Sequence, residues 1–232
     1  MPKTLPTPAA PPQQVTRGVL AIKPFRKLWN SMLFSSLGDW LGLLATTALA
    51  QQLSGGSYAT ANFAIAGVFI ARLLPAVFLG PIAGVIADRF DRRKLMVTAD
   101  IFRAGLYISI PIVNTYFWLY AAMILVECLT LFWSPAKEAT VPNLVGKDKL
   151  ESANQASLLA AYGTAPVAAI LFSLLTLFAS AINSLFPFSI GTSVDIALYA
   201  NAATFAFAAF TIWGLKEIPK GAAAKKAKDE NV

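Results

Sequence analysis

Residues Ser152–Val194 read SANQASLLAAYGTAPVAAILFSLLTLFASAINSLFPFSIGTSV and contain no Asp, Glu, Lys or Arg. About 20 consecutive apolar residues, wound as a helix, cross the roughly 30 Å hydrocarbon layer of a bilayer. A run of this length is far more than a water-soluble core helix needs. Ala104–Val126 is likewise free of charge. These two stretches set the solvent for the whole chain, which is lipid, and lipid restricts the backbone to helices or a closed barrel.

The composition agrees. Apolar residues make up 56% and charged residues 13% of the 232 positions, and mean hydropathy is +0.60, where a soluble domain carries about 25% charge. A single cysteine, Cys128, excludes an intramolecular disulfide and a cysteine metal cluster. The absence of histidine excludes His-based triads and the usual zinc sites. No cofactor and no metal are expected. Residues 2–14 are rich in Pro, Ala and Gln and lack the apolar core of a signal peptide. They read as a disordered leader.

Working outward, six spans are predicted: Lys27–Gln51, Ala59–Ala87, Leu95–Val113, Phe117–Lys137, Ala153–Ile182 and Val194–Leu215. The connections after the first, third and fifth spans contain no Lys or Arg. All 19 basic residues except Arg72 and Arg103 fall in the leader, the second and fourth connections with their flanks, and the tail from Lys216. Basic residues concentrate on the cytoplasmic side. Both termini are therefore expected in the cytoplasm, in the plasma (inner) membrane. The organisation expected is a disordered leader over 1–22, a six-helix bundle over 23–215 and a basic tail over 216–232. The net charge of +7 reads first as a topology signal and second as a contact for anionic lipid. Nucleic acid is not expected as a partner.

The second connection reads Gly84-Val-Ile-Ala-Asp88-Arg89-Phe-Asp91-Arg92-Arg93-Lys94. Gly80 and Gly84 lie four residues apart on one helix face, near Ala76 and Ala87, a pattern that permits close helix approach in lipid. Asp88 falls at the helix end, and the basic cluster holds a short loop at the phosphate level. This stretch resembles the G-x-x-x-D-R-x-x-R-[RK] signature of the major facilitator superfamily, in the position where that family carries it. Phe25-Arg26-Lys27-Leu28-Trp29 with Ser36-Leu37-Gly38-Asp39 is similar to the start of its macrolide-efflux-like branch. So are Ala71-Arg72-Leu73-Leu74-Pro75, Asp100-Ile-Phe-Arg103-Ala104, Ser134-Pro135-Ala136-Lys137, Val141-Pro142-Asn143-Leu144-Val145 and Ala153-Asn154. Gly163-Thr164-Ala165-Pro166 departs from that branch's G-P antiporter pattern.

The resemblance covers about residues 20–215 and implies an all-α membrane fold, six helices as two inverted three-helix repeats. A complete member has two such bundles with the substrate path between them. The resemblance thus implies the N-terminal half of a secondary transporter, exporting a hydrophobic or amphipathic small molecule by proton exchange. It would partner a second six-helix half or a second copy of itself. Gly84, Asp88, Arg89, Arg92 and Arg93 would form a lock between halves. The competing reading is a truncated or split-gene product, kept as a non-transporting membrane subunit. An enzyme is not expected, since no catalytic set is evident.

Ionisable residues within spans are costly and mark function or an internal pair. Asp39 lies mid-way along the first span with Ser31, Ser35, Gly42 and Thr46 at helical spacing. That stripe suggests a wall of a water-filled cavity in which Asp39 exchanges protons, or else a structural hydrogen bond. Glu127, mid-way along the fourth span, either neutralises Arg103 or carries protons, as carboxylates in low-dielectric cavities can. Asp100 and Arg103, three apart, can pair on one helix face. Arg72 is left to an anionic substrate, to Asp195, or to snorkelling. Trp29, Trp118, Tyr120 and Trp213 read as interface anchors, and Tyr162 and Trp133 as cavity candidates.

Overall fold

The computed structural model describes residues 18–185 and 192–218. Six long helices fill it: α1 (Lys23–Leu53), α2 (Tyr58–Ala87), α3 (Arg92–Val113), α4 (Tyr116–Val145), α5 (Leu150–Leu185) and α6 (Ser193–Trp213). Each is long and apolar enough to cross a membrane. The chain is a multi-pass, all-helical membrane protein.

Local chemistry sets the boundaries. The Asp91 side chain caps α3 by accepting from the Lys94 backbone N–H at 3.1 Å, and Thr115 caps α4 by accepting from Trp118 N–H at 3.3 Å. α6 opens on a reciprocal capping box, in which Thr192 and Asp195 each bond the other's backbone N–H. The chain reverses at Gly55 and Gly56 and after α4 at Gly146, all with positive φ, where a Cβ would clash with the backbone. The helices start a few residues earlier than the spans read from sequence. α4 also runs well past its predicted end, to Val145, because an apolar window marks the hydrocarbon crossing and not the helix end.

Three helices are an odd number, so α4–α6 enter the membrane opposite to α1–α3. The packing carries the resulting pseudo-symmetry. The principal contacts are α1–α6, α3–α6, α2–α4, α1–α5 and α3–α4. Exchanging the two triplets turns α1–α6 into α3–α4 and α1–α5 into α2–α4, and maps α3–α6 onto itself. The inner seams are lined with small residues such as Ala153, Ala156 and Ala160 on α5 and Ala197, Ala208 and Ala209 on α6, all buried. They let backbones approach where lipid supplies no hydrophobic drive.

Buried apolar residues form two clusters. One, holding Phe25, Leu28, Met96, Trp133 and Ile212, lies at the end where α1 and α3 begin. The other, holding Leu49, Val68, Tyr107, Leu119 and Phe205, lies towards the opposite end. Charged side chains sit between them. Val19 before α1 and Leu215 and Ile218 after α6 are buried in the first cluster. The rest of the expected leader and tail, residues 1–17 and 219–232, lies outside the described residues.

Candidate functional site: a charged cavity between α1, α2, α4 and α5

Asp39 on α1, Arg72 on α2 and Glu127 on α4 line one cavity of about 410 Å³, walled by Trp40, Phe69, Leu73, Thr130 and Tyr162. Arg72 Nη1 donates to the backbone carbonyl of Asp39 at 3.5 Å, and its charged neighbours are Asp39 and Glu127. The guanidinium thus shares the cavity with two carboxylates contributed by different helices. Asp195 is occupied by the α6 capping box, so the Arg72–Asp195 contact considered from sequence is not made.

Behind this cavity lies a second charge pair, sealed from solvent. Arg103 Nη1 is 3.3 Å from Asp100 Oδ1 and both side chains are fully buried. Ser35 Oγ accepts from Arg103 at 3.1 Å, and Trp133 Nε1 donates to Asp100 Oδ2 at 3.1 Å. The guanidinium also lies 5.5 Å from the Trp133 ring and 5.2 Å from the Phe205 ring. Cation–π contacts of this kind strengthen when desolvated. Glu127 forms no ion pair with Arg103; the nearer Asp100 takes that place, and Glu127 turns to the cavity instead.

The polar stripe read along α1 is a correction. Ser31, Ser35 and Thr46 are buried and belong to helix packing rather than to a water-filled wall. Ser31 Oγ donates to Ala208 O of α6 at 3.1 Å, and Gly42 abuts the Tyr107 hydroxyl and the Asn201 amide. The residues of α1 that face the cavity are Ser36, Asp39, Trp40 and Leu43, one helical position around. On α1 the buried small residues Ser31, Ser35 and Gly42 serve helix approach, and the cavity is lined by a neighbouring strip of the helix. Trp40 was missed. Its indole N–H donates to Ala161 O on α5 at 2.8 Å, fixing the ring between two helices. A tryptophan deep in a span needs such an acceptor, and that need was the available signal. Trp29 likewise donates to Ala156 O at 2.8 Å, and Trp133 faces the buried pair instead of the cavity.

At the second connection, Asp88 ends α2 and its Oδ1 lies 3.4 Å from Arg92 Nη2. Arg92 Nη1 donates to Ala139 O on α4 at 3.0 Å, so this arginine ties the loop across the two repeats. Arg89 is exposed, and Arg93 is partly exposed. An added Cβ at Gly80 or Gly84 would meet nothing within 4 Å. Their small face is therefore not spent on packing within this bundle, contrary to the simplest reading of the pattern. The glycine that is spent on α2 is Gly67, against the Tyr120 ring.

A family model described as a transmembrane secretion effector matches residues 16–197. The chain belongs to that family, within the major facilitator superfamily. It is a transporter family and not an enzyme family. The chain is 32% identical over 131 residues to the MFS-type transporter YfiS of Bacillus subtilis, covering 56% of this chain and 30% of the relative. It is 33% identical over 109 residues to macrolide efflux protein A of Enterococcus faecalis, covering 43% of this chain and 34% of the relative. A Bacillus subtilis protein bearing the name of a bacilysin exporter, BacE, is 27% identical over 199 residues, covering 84% of this chain and 45% of the relative. The chain thus spans less than half the length of these relatives. No solved structure matches it.

Proposed function

We propose that this facilitator-family bundle supplies the N-terminal wall and the proton site of an exporter for hydrophobic or amphipathic small molecules. The observation that carries the reading is a charge imbalance in the middle of the bundle. Asp39, Asp100 and Glu127 oppose Arg72 and Arg103. Asp100 is matched by Arg103, which leaves two carboxylates, Asp39 and Glu127, sharing Arg72. One proton makes the cavity neutral, and its release leaves a net negative charge in low dielectric, an unfavourable state. Movement of the bundle that alters access to the cavity is thereby tied to proton uptake. The apolar wall of Trp40, Phe69 and Leu73 suits a hydrophobic body. The efflux names of two relatives favour the outward direction.

The cavity is one-sided, and a second six-helix unit completes it: a separate half or a second copy of this chain. The open faces at Gly80 and Gly84 favour this, since small-residue faces receive helices. The connections bearing Arg92 and Lys147 face the cytoplasm of the plasma membrane. The test is transport by the complex as isolated from its own membrane, reconstituted with a pH gradient. Asp39→Asn is expected to abolish gradient-driven accumulation while leaving substrate binding. Accumulation that keeps its pH dependence in this variant overturns the proton assignment.

A further inference from the structure

A second cavity, of about 510 Å³, lies between α4 and α5 and holds Lys137, Glu138, Asn154 and Ser157. It shares Ala161 and Tyr162 with the charged cavity, so the two are successive parts of one cleft. The function proposed above makes no use of it.

Three features give this vestibule a chemistry. Its cation is inward: the Lys137 side chain is 19% exposed while Glu138, 3.9 Å away, is 73% exposed. At 3.9 Å the two form a long ion pair without a hydrogen bond, and both line the cavity, the acid at its exposed mouth and the ammonium at its inner wall. The Lys137 Nζ is also held 5.9 Å over the Trp133 ring, which fixes the charge against the wall. Its depth is interfacial, because Lys137 lies roughly 30 Å along α4 from Tyr116, about the thickness of the hydrocarbon layer. Finally, Leu158 and Tyr162 on the α5 side are exposed in this bundle and give the vestibule an apolar margin.

We infer that the Lys137 vestibule binds the acid group of an anionic amphiphile, a carboxylate or phosphate, whose apolar body extends along Tyr162 towards Trp40 and Phe69. The inference rests on the exporter reading for its direction of passage, but not for the binding itself. The arrangement of charge is consistent with it: the inner cavity carries surplus acid and excludes an anionic head, whereas in the vestibule the one acid, Glu138, lies towards water and the cation, Lys137, lies at the wall. A membrane lipid headgroup and a lipophilic acid share this chemistry.

The test is direct binding by the full chain in phosphatidylcholine nanodiscs, read as the motionally restricted fraction of spin-labelled stearic acid and of its methyl ester. The acid is expected to bind more tightly than the ester. Lys137→Gln should weaken the acid roughly fivefold, the scale of one partly exposed charge pair, and leave the ester unchanged; Lys137→Arg should retain binding. Displacement of the acid by added phosphatidylglycerol assigns the site to a lipid headgroup, and failure to displace assigns it to a lipophilic acid. Equal binding of acid and ester, or an unchanged acid in a helical Lys137→Gln chain, overturns the proposal. No gradient or second unit is needed, so this outcome is separate from the fate of the transport reading.

Discussion

Asp100 and Arg103 lie where no water reaches them, and their partners come from three helices: Ser35 on α1, Trp133 on α4 and Phe205 on α6. Such a pair gives modest net stability, but removing one member strands the other charge at a cost of about 3–5 kcal/mol. Asp100→Asn and Arg103→Gln should each lower the thermal midpoint in detergent sharply, and the double variant should recover much of the loss. Single variants that unfold at the parent temperature would show that the pair is dispensable. The possibility of this pair was legible in the i, i+3 spacing. Its aromatic enclosure was not, because Trp133 and Phe205 are distant in sequence and ordinary in type.

Helix approach is set by where a missing Cβ is needed. At Gly67 an added Cβ would lie 2.8 Å from the Tyr120 ring, whose hydroxyl already donates to Ala64 O at 3.1 Å. At Gly80 it would meet nothing. Gly67→Ala should therefore destabilise the isolated chain by about 1–3 kcal/mol through overpacking. Gly80→Ala should leave it unchanged or add roughly 0.5–1 kcal/mol by restricting the unfolded backbone. Unfolding midpoints measured side by side decide this, and equal effects at the two sites would refute the packing assignment. The sequence shows three glycines on α2 without ranking them. Only the position of Tyr120 does that.

The six-helix count places the α1–α2, α3–α4 and α5–α6 connections on one face of the membrane and the α2–α3 and α4–α5 connections on the other. In a Cys128→Ser background, a cysteine at Ser54 should react with an impermeant thiol reagent added to intact cells. One at Lys147 should react only after the membrane is opened. Reversed labelling would invert the assignment of both ends to the cytoplasm. Span number, connection charge and the basic loop after α2 were readable because each is local. A helix satisfies its own backbone in lipid, and its length and flanking charges lie within one stretch of chain. Facing was not readable. Lipid and protein interior are both apolar, so hydrophobicity does not mark the inward side, and the polar stripe is buried rather than in water: Ser31 bonds α6, Ser35 bonds Arg103 on α3, and Thr46 bonds carbonyls of its own helix. Sequence alone determined how many times the chain crosses and what charges it carries inside. The rotation and crossing of the helices decided that Arg72 shares a cavity with Asp39 and Glu127 while Arg103 is left to Asp100, because contacts between helices depend on packing that no single helix encodes.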